Sequence, residues 1–289
     1  MTWFCQGQEL EPRRWSHLPI NANFAGAGYV YTRGDILFDP VLLIEGVEIE
    51  MHSAIVKYIR SFELLGKSAR VDFTQGYQDA TWKGLLEGQP ANAYRSGLMD
   101  GSFRFAINLL GAPPLEGKDF AEYRAKMDKE TIVGMGLVVQ LPTGDYLSDK
   151  LLNLGNNRFT FRPQLGVVHN RGKWMMELTT SAWIYTSNDD FWNGNRFEQA
   201  PFYTLQAHLA YTFRPGLWVG TGVGYGIGGE STVNGDDKND RKGNLAGLLS
   251  VGMPLSRKVG IKFSYLGFRT QKKVGADTNS FATGMSVLW

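Results

Sequence analysis

The chain reads as an all-β protein, a transmembrane antiparallel up-and-down β-barrel of about twelve strands. Three observations predict this. Segments of alternating apolar and polar residues recur along the whole chain, and a strand puts successive side chains on opposite faces. Most segments run ~9–12 residues, the length that crosses a bilayer at a tilt, whereas globular strands average ~5–6. The chain ends on Trp289 inside such a segment, with Phe281, Met285, Val287 and Trp289 on one face. Ala282, Gly284 and Ser286 fall on the other face, interrupted only by Leu288.

Composition agrees. The 289 residues include 35 Gly and 13% aromatics, and the formal net charge is +2. So small a charge lacks the basic field that nucleic acid requires. One Cys rules out a disulfide framework and a multi-cysteine metal site. No apolar run approaches the ~20 residues of a membrane helix. The mean hydropathy of −0.23 does not speak against a barrel, because alternation averages the lipid face away.

Residues 1–7 read as the remainder of a secretory signal, with Cys5 and Gly7 at the −3 and −1 positions of a cleavage before Gln8. Residues 8–22 read as a periplasmic N-terminal segment, irregular because Pro12 and Pro19 break regular structure. The barrel is expected over 23–289. Its strands are expected near 24–31, 47–62, 70–77, 101–109, 131–141, 158–168, 174–186, 202–213, 217–227, 244–253, 259–268 and 281–289. The stretch 101–109 is the clearest, with Phe103, Phe105, Ile107 and Leu109 opposing Ser102, Arg104, Ala106 and Asn108. Within 111–129, Phe120, Tyr123 and Met127 recur at helical spacing and predict one short amphipathic helix.

Connections alternate in length. Those at 64–68, 170–172, 214–216 and 256–258 are tight, and those at 79–92, 142–157, 187–201, 228–243 and 270–280 are long and polar. Outer-membrane barrels have short periplasmic turns and long external loops. An even strand count leaves both termini on the periplasmic side, and the helical link at 111–129 falls where a short turn is expected. Aromatic residues gather at strand ends, among them Tyr29, Tyr31, Trp174, Tyr203, Tyr211, Phe213 and Trp289. The competing architecture is a soluble β-sandwich or barrel, whose alternation is identical.

Several phrases carry a resemblance to a known family. They are Glu11-Pro12-Arg13-Arg14-Trp15, Asn23-Phe24-Ala25-Gly26, Leu141-Pro142-Thr143-Gly144-Asp145-Tyr146 and Asn153-Leu154-Gly155-Asn156-Asn157-Arg158-Phe159. Arg162-Pro163-Gln164-Leu165-Gly166 and Phe213-Arg214-Pro215-Gly216-Leu217-Trp218 complete the set. With these the sequence resembles, from about Leu10 to Trp289, the "MetA-pathway of phenol degradation" family. The resemblance implies an outer-membrane barrel that takes up aromatic compounds, and it brings no defined set of substrate residues. The ending also resembles the assembly signal of outer-membrane barrels. Trp289, Val287, Gly284 and Phe281 carry that likeness, and Ala282 departs from it where a polar residue is usual.

Candidate lumen residues follow from strand parity: Arg70, Arg104, Arg158, Arg162, Gln164, Glu177, Gln206 and His208. Inward arginines and carboxylates can select solutes at a constriction, as charged rings do in pores, or can pair with one another and fill a narrow barrel. Catalysis has little to stand on. His52 and Ser53 are adjacent in a strand and face opposite ways, and His208 shares its face with Thr204 and Gln206 but no Ser. The glycines of 224–229 keep strand spacing and precede neither a helix nor a Lys-Ser/Thr pair, so they are not a phosphate loop. The mixed-charge stretch 234–242 lacks calcium-loop spacing.

The expected function is passive passage of a small molecule, aromatic or hydrophobic, across the outer membrane of a Gram-negative bacterium. It calls for no cofactor and no metal. Expected partners are outer-membrane lipids and lipopolysaccharide, the barrel assembly machinery and the solute. The alternatives are an outer-membrane lipid hydrolase and a structural or adhesive barrel with a plugged lumen.

Overall fold

The computed structural model describes residues 10–38 and 43–289. The expected signal remnant at 1–7 lies outside them. Strands β1 (Asn23–Leu37), β2 (Ile44–Leu64), β3 (Lys67–Leu86), β4 (Gln89–Leu98) and β5 (Ser102–Leu110) precede helix α1 (Gly117–Lys126). Then come β6 (Lys129–Gln140), β7 (Thr160–Arg171), β8 (Trp174–Tyr185), β9 (Asn188–Phe191), β10 (Asn195–Gln199), β11 (Phe202–Arg214) and β12 (Leu217–Gly228). The chain closes with β13 (Ser231–Val233), β14 (Asp236–Asp237), β15 (Lys242–Pro254), β16 (Val259–Thr270) and β17 (Gly275–Leu288).

Every pairing is antiparallel, and the sheet closes because β1 pairs with both β2 and β17 while β2 pairs with β3. β4 and β5 lie end to end along β3, interrupted at 99–101, and form one stave. The barrel therefore has twelve staves. Closure leaves no open edge along the membrane-crossing part, which is what lipid demands of a sheet.

Alternation is read out as expected. Along β7, Thr160, Arg162, Gln164 and Val168 are buried, while Phe161, Leu165 and Val167 face outward and are exposed. The outer wall carries apolar side chains such as Phe103, Met135, Leu178, Leu205, Val223 and Met285. Rings mark the periplasmic rim: Trp174 packs against Tyr211, Tyr211 against Phe213, and Trp289 lies 6.4 Å from Tyr58. Amphipathic rings favour that headgroup level. The terminal strand pairs with β1 from Phe24–Leu288 to Leu37–Gly275, and Asn23 and Trp289 exchange two backbone hydrogen bonds of 3.0 Å.

Four expected loops are otherwise; the link expected over 270–280 shrinks to 271–274, because β17 begins at Gly275. The stretch 79–92 is not a loop, because β3 and β4 continue through it to a two-residue turn at Glu87 and Gly88, both at positive φ. Strands β2 and β3 have 21 and 20 residues. At ~3.4 Å per residue they far exceed an apolar band ~25 Å tall, so the hairpin stands above the membrane. There the outward face is polar, which lowers the average hydrophobicity, while the inward face still carries buried Ala80 and Trp82. Links 187–201 and 228–243 contain β9, β10, β13 and β14, which pair into a small separate sheet. Link 142–157 is a loop. It covers the exposed edge of β4, with Asp145 N donating to Leu98 O and Asp145 Oδ2 accepting from Leu98 N. That capping blunts an otherwise sticky edge.

Candidate functional site

The segment expected in the periplasm sits inside the barrel: its described residues, 10–22, pass down the lumen to the periplasmic mouth. Trp15 is 2% exposed and anchors it. The Trp15 indole N–H donates to Thr179 Oγ1 at 3.0 Å, and the Arg104 guanidinium lies 4.7 Å from its ring. The ring fits because the facing strand positions are Gly134, Gly136 and Gly166, where a Cβ would press on or overlap the indole. An unpaired polar group in lipid-surrounded protein is costly, so a segment this polar needs partners, and it has them. The Glu11 carboxylate lies 3.3 Å from Lys262, 3.5 Å from Lys57 and 4.0 Å from Arg14. Lys57 above all, with Lys262 and Arg14, holds that carboxyl well below the usual range. Arg70 donates to Arg14 O at 2.6 Å, and Arg13 lies over the Trp218 ring.

The same segment explains the helix. α1 lies at the periplasmic mouth, where His17 Nε2 is 2.8 Å from Pro113 O and its ring contacts Phe120 and Tyr123 edge-on. Buried Glu130 collects Ala112 N–H at 3.1 Å, Tyr123 O–H at 2.8 Å and Arg124 at 3.4 Å, with His17 Nδ1 3.8 Å away. Ile20 N–H donates to Leu115 O, and Asn21 to the Glu116 carboxylate. The link is longer than a turn because it clasps the plug.

The eight lumen candidates all point inward, and they divide into two groups. In the periplasmic half, Arg104 and Arg70 each lie 3.4 Å from Asp72, itself 2% exposed, and Arg104 Nε donates to Gln164 Oε1 at 3.1 Å. Glu177 faces the Trp15 N–H at 3.5 Å and His208 Nδ1 at 3.9 Å. Gln206 is buried on the neighbouring position of β11. In the extracellular half, the arginines meet aromatic faces. Arg162 lies 4.3 Å from the Trp183 ring and donates to Ser181 Oγ at 2.9 Å. Arg158 lies 4.4 Å from the Tyr185 ring and 4.9 Å from Phe197, and donates to Gln199 Oε1.

Trp183, Tyr185, Phe197, Gln199 and Asp100 were not singled out from the sequence. Continuing the inward parity of β8 past Ser181 would have found Trp183 and Tyr185; Phe197 and Gln199 lie on short β10 within a link expected to be a loop, and Asp100 lies in the break between β4 and β5. Asp100 organises the cover. Its carboxylate accepts from Gly144 N–H at 2.9 Å, Asn156 N–H at 2.9 Å and Asn156 Nδ2 at 2.8 Å. Gly144 and Gly155 touch so closely that a Cβ on Gly144 would sit 2.8 Å from Gly155 Cα.

Among the terminal residues, Phe281, Val287 and Trp289 face outward, and Gly284 lies between Gly28 and Lys262. His52 is exposed on the outer wall and meets the Tyr29 hydroxyl, whereas Ser53 is buried on the inner face.

A closed twelve-stave barrel with an apolar outer wall and a charged lumen has the fold of an outer-membrane channel. The protein is similar over 97% of its length to the whole of the COG4313 outer membrane channel from Pseudomonas putida F1, with a TM-score of 0.82 and 20% identity. It is similar more distantly to the transport unit of the autotransporter AIDA-I from Escherichia coli, with a TM-score of 0.52 and 9% identity, over 92% of this chain and 90% of that one. The chain belongs to the family described as "Putative MetA-pathway of phenol degradation", whose model matches residues 24–288. No curated protein matches it.

Proposed function

We propose that the protein is a passive outer-membrane channel for small aromatic or otherwise hydrophobic compounds. One observation carries the reading: the closed barrel holds apolar surface inside. Ile36, Phe38, Ile49, Met51, Trp82 and Leu154 form a buried cluster at the extracellular end, and Leu10 of the plug packs on Ala246, Leu248 and Phe268 of the wall. A water-filled porin has a polar interior instead. Solute moves down its gradient, and the plug and inward charges filter it. The family's name and the channel fold support the same reading.

Hydrolysis of lipid fits less well. Among the described residues neither ring nitrogen of His208 has a hydrogen-bond partner, and Thr204 Oγ1 is engaged with Ser181. A nucleophile within reach of a base is the minimum for that chemistry. A structural barrel with a filled lumen is favoured by one observation, the close fit of Trp15. At the periplasmic rim, Trp289 is offered outward as the signal for the assembly machinery, while the outer wall contacts lipid and lipopolysaccharide.

The test is flux into vesicles whose outer leaflet is lipopolysaccharide. Benzyl alcohol should enter protein-containing vesicles faster than protein-free ones, and arabinose should gain little. Replacing Arg158 and Arg162 together by Ala should alter the solute preference. Equal rates with and without protein would leave the structural barrel standing.

A further inference from the structure

The extracellular half of the lumen has a buried cation that no described carboxylate pairs with directly; the Asp100 charge reaches it only at longer range. Arg158 is 5% exposed, and among the described residues its Nη1 has no hydrogen-bond partner. Among the described residues the nearest acid, Asp100, is committed to Gly144 and Asn156 rather than to an ion pair with Arg158. Burying a guanidinium without an anion is expensive, and proteins satisfy such groups when they can. The surroundings are rings: Tyr185 and Phe197 flank the guanidinium, and Phe191 lies tilted against Phe197 at 4.9 Å. On the next inward positions of the same wall, Thr160 Oγ1 and the Trp183 indole N–H are also buried without hydrogen-bond partners among the described residues. Three unmet polar groups facing one lumen wall, set among four aromatic rings, call for a ligand that is anionic at one end and flat.

We propose that Arg158, Thr160 and Trp183, with the rings of Tyr185 and Phe197, form a binding site for a single-ring aromatic carboxylate. The carboxylate accepts from Arg158 Nη1, the planar ring lies against the aromatic wall, and Thr160 and Trp183 meet polar atoms further along the ligand. Arg suits this role because its planar fork matches a carboxylate and its face stacks on rings. Fixing Arg158 through Gln199 Oε1 leaves the opposite nitrogen directed away from that bond. The site deepens the channel reading by naming a solute class, and it rests on that reading only for the solute's passage, not for its binding.

Binding and passage separate the two. Calorimetric titration of the detergent-purified full chain with benzoate should show saturable binding. Benzamide, which keeps the ring and loses the charge, and acetate, which keeps the charge and loses the ring, should each bind at least about tenfold more weakly. A hydrogen bond to a charged group is worth ~1.5–3 kcal/mol, so Arg158→Ala should weaken benzoate roughly 10- to 100-fold. Arg158→Lys should restore part of the loss, and Trp183→Phe should cost a few-fold. Heat-modifiable gel migration shows that each variant is a folded barrel. Benzoate binding equal to benzamide, absent altogether, or unchanged in folded Arg158→Ala would overturn the site. If benzyl alcohol flux persists in those cases, the channel reading survives. If benzoate binds through Arg158 and no solute crosses, the site stands and the channel reading falls.

Discussion

The two halves of the lumen use the same residue type in opposite ways. Toward the periplasm, Arg104 and Arg70 converge on Asp72, and the Glu11 carboxylate sits among Lys57, Lys262 and Arg14. The Asp72 and Glu11 carboxylates are each answered by more than one cation, and the Glu11 pairs hold the N-terminal segment in place. Toward the outside, Arg158 and Arg162 lie on Tyr185, Phe197 and Trp183. The lower half seats the N-terminal segment, and the upper half is where we propose recognition. An inward arginine in a barrel is therefore neither structural nor functional by position; the partner decides.

Unseating the plug should have the largest effect. Trp15→Ala removes a fully buried indole, a change that costs roughly 3–5 kcal/mol where the site cannot collapse. The N-terminal segment should leave the lumen, raising single-channel conductance in planar bilayers and exposing the segment to protease. Gly166→Ala should do the same from the other side, because its Cβ would overlap the indole. If conductance stays at the wild-type level in both, the segment is not what limits the pore.

A somewhat smaller effect should distinguish the two kinds of arginine. Arg104→Ala takes a partner from buried Asp72, and breaking such a pair costs about 3 kcal/mol or more. Urea unfolding should show that loss for Arg104→Ala and a much smaller one for Arg158→Ala. Equal destabilisation would mean that both arginines are structural.

Acid should loosen the seal by a moderate amount. Burial, above all, lowers the His17 pKa, with the Pro113 carbonyl and Glu130 opposing it. Protons then favour the released segment, whose histidine titrates near ~6.5. Docking is at full strength above that pH and weakens as pH falls through it. Glu11 does not contribute in that window. Its lowered carboxyl keeps its contribution above the ordinary carboxylate range and loses it only as pH falls through the lower native value. Protease access to the N-terminal segment should rise between pH 7.5 and pH 5, and His17→Gln should flatten the dependence.

The smallest effect belongs to Glu11→Gln. About a third of that side chain is exposed, so water screens its ion pairs and the loss should stay within ~1 kcal/mol. Added salt should shrink the difference from wild type in the same protease assay.

Parity along each strand determined a great deal from the sequence alone. It set which side chains face lipid, placed all eight lumen candidates inside, and identified 281–289 as the closing strand. These follow from a period of two, a local property of the backbone that needs no knowledge of neighbours. Where the outward face turned polar above the membrane, at 79–92, composition suggested a loop although the alternation continued. Only the tertiary structure decided that residues 10–22 fill the lumen, because Trp15 finds Thr179 across 164 residues of chain. The family phrases show the same limit. Trp15 meets Gly166, Arg13 meets Trp218, and Gly144 meets Gly155, so five of the six phrases are each half of a contact. A sequence displays both halves, but only the closure of the barrel brings them together.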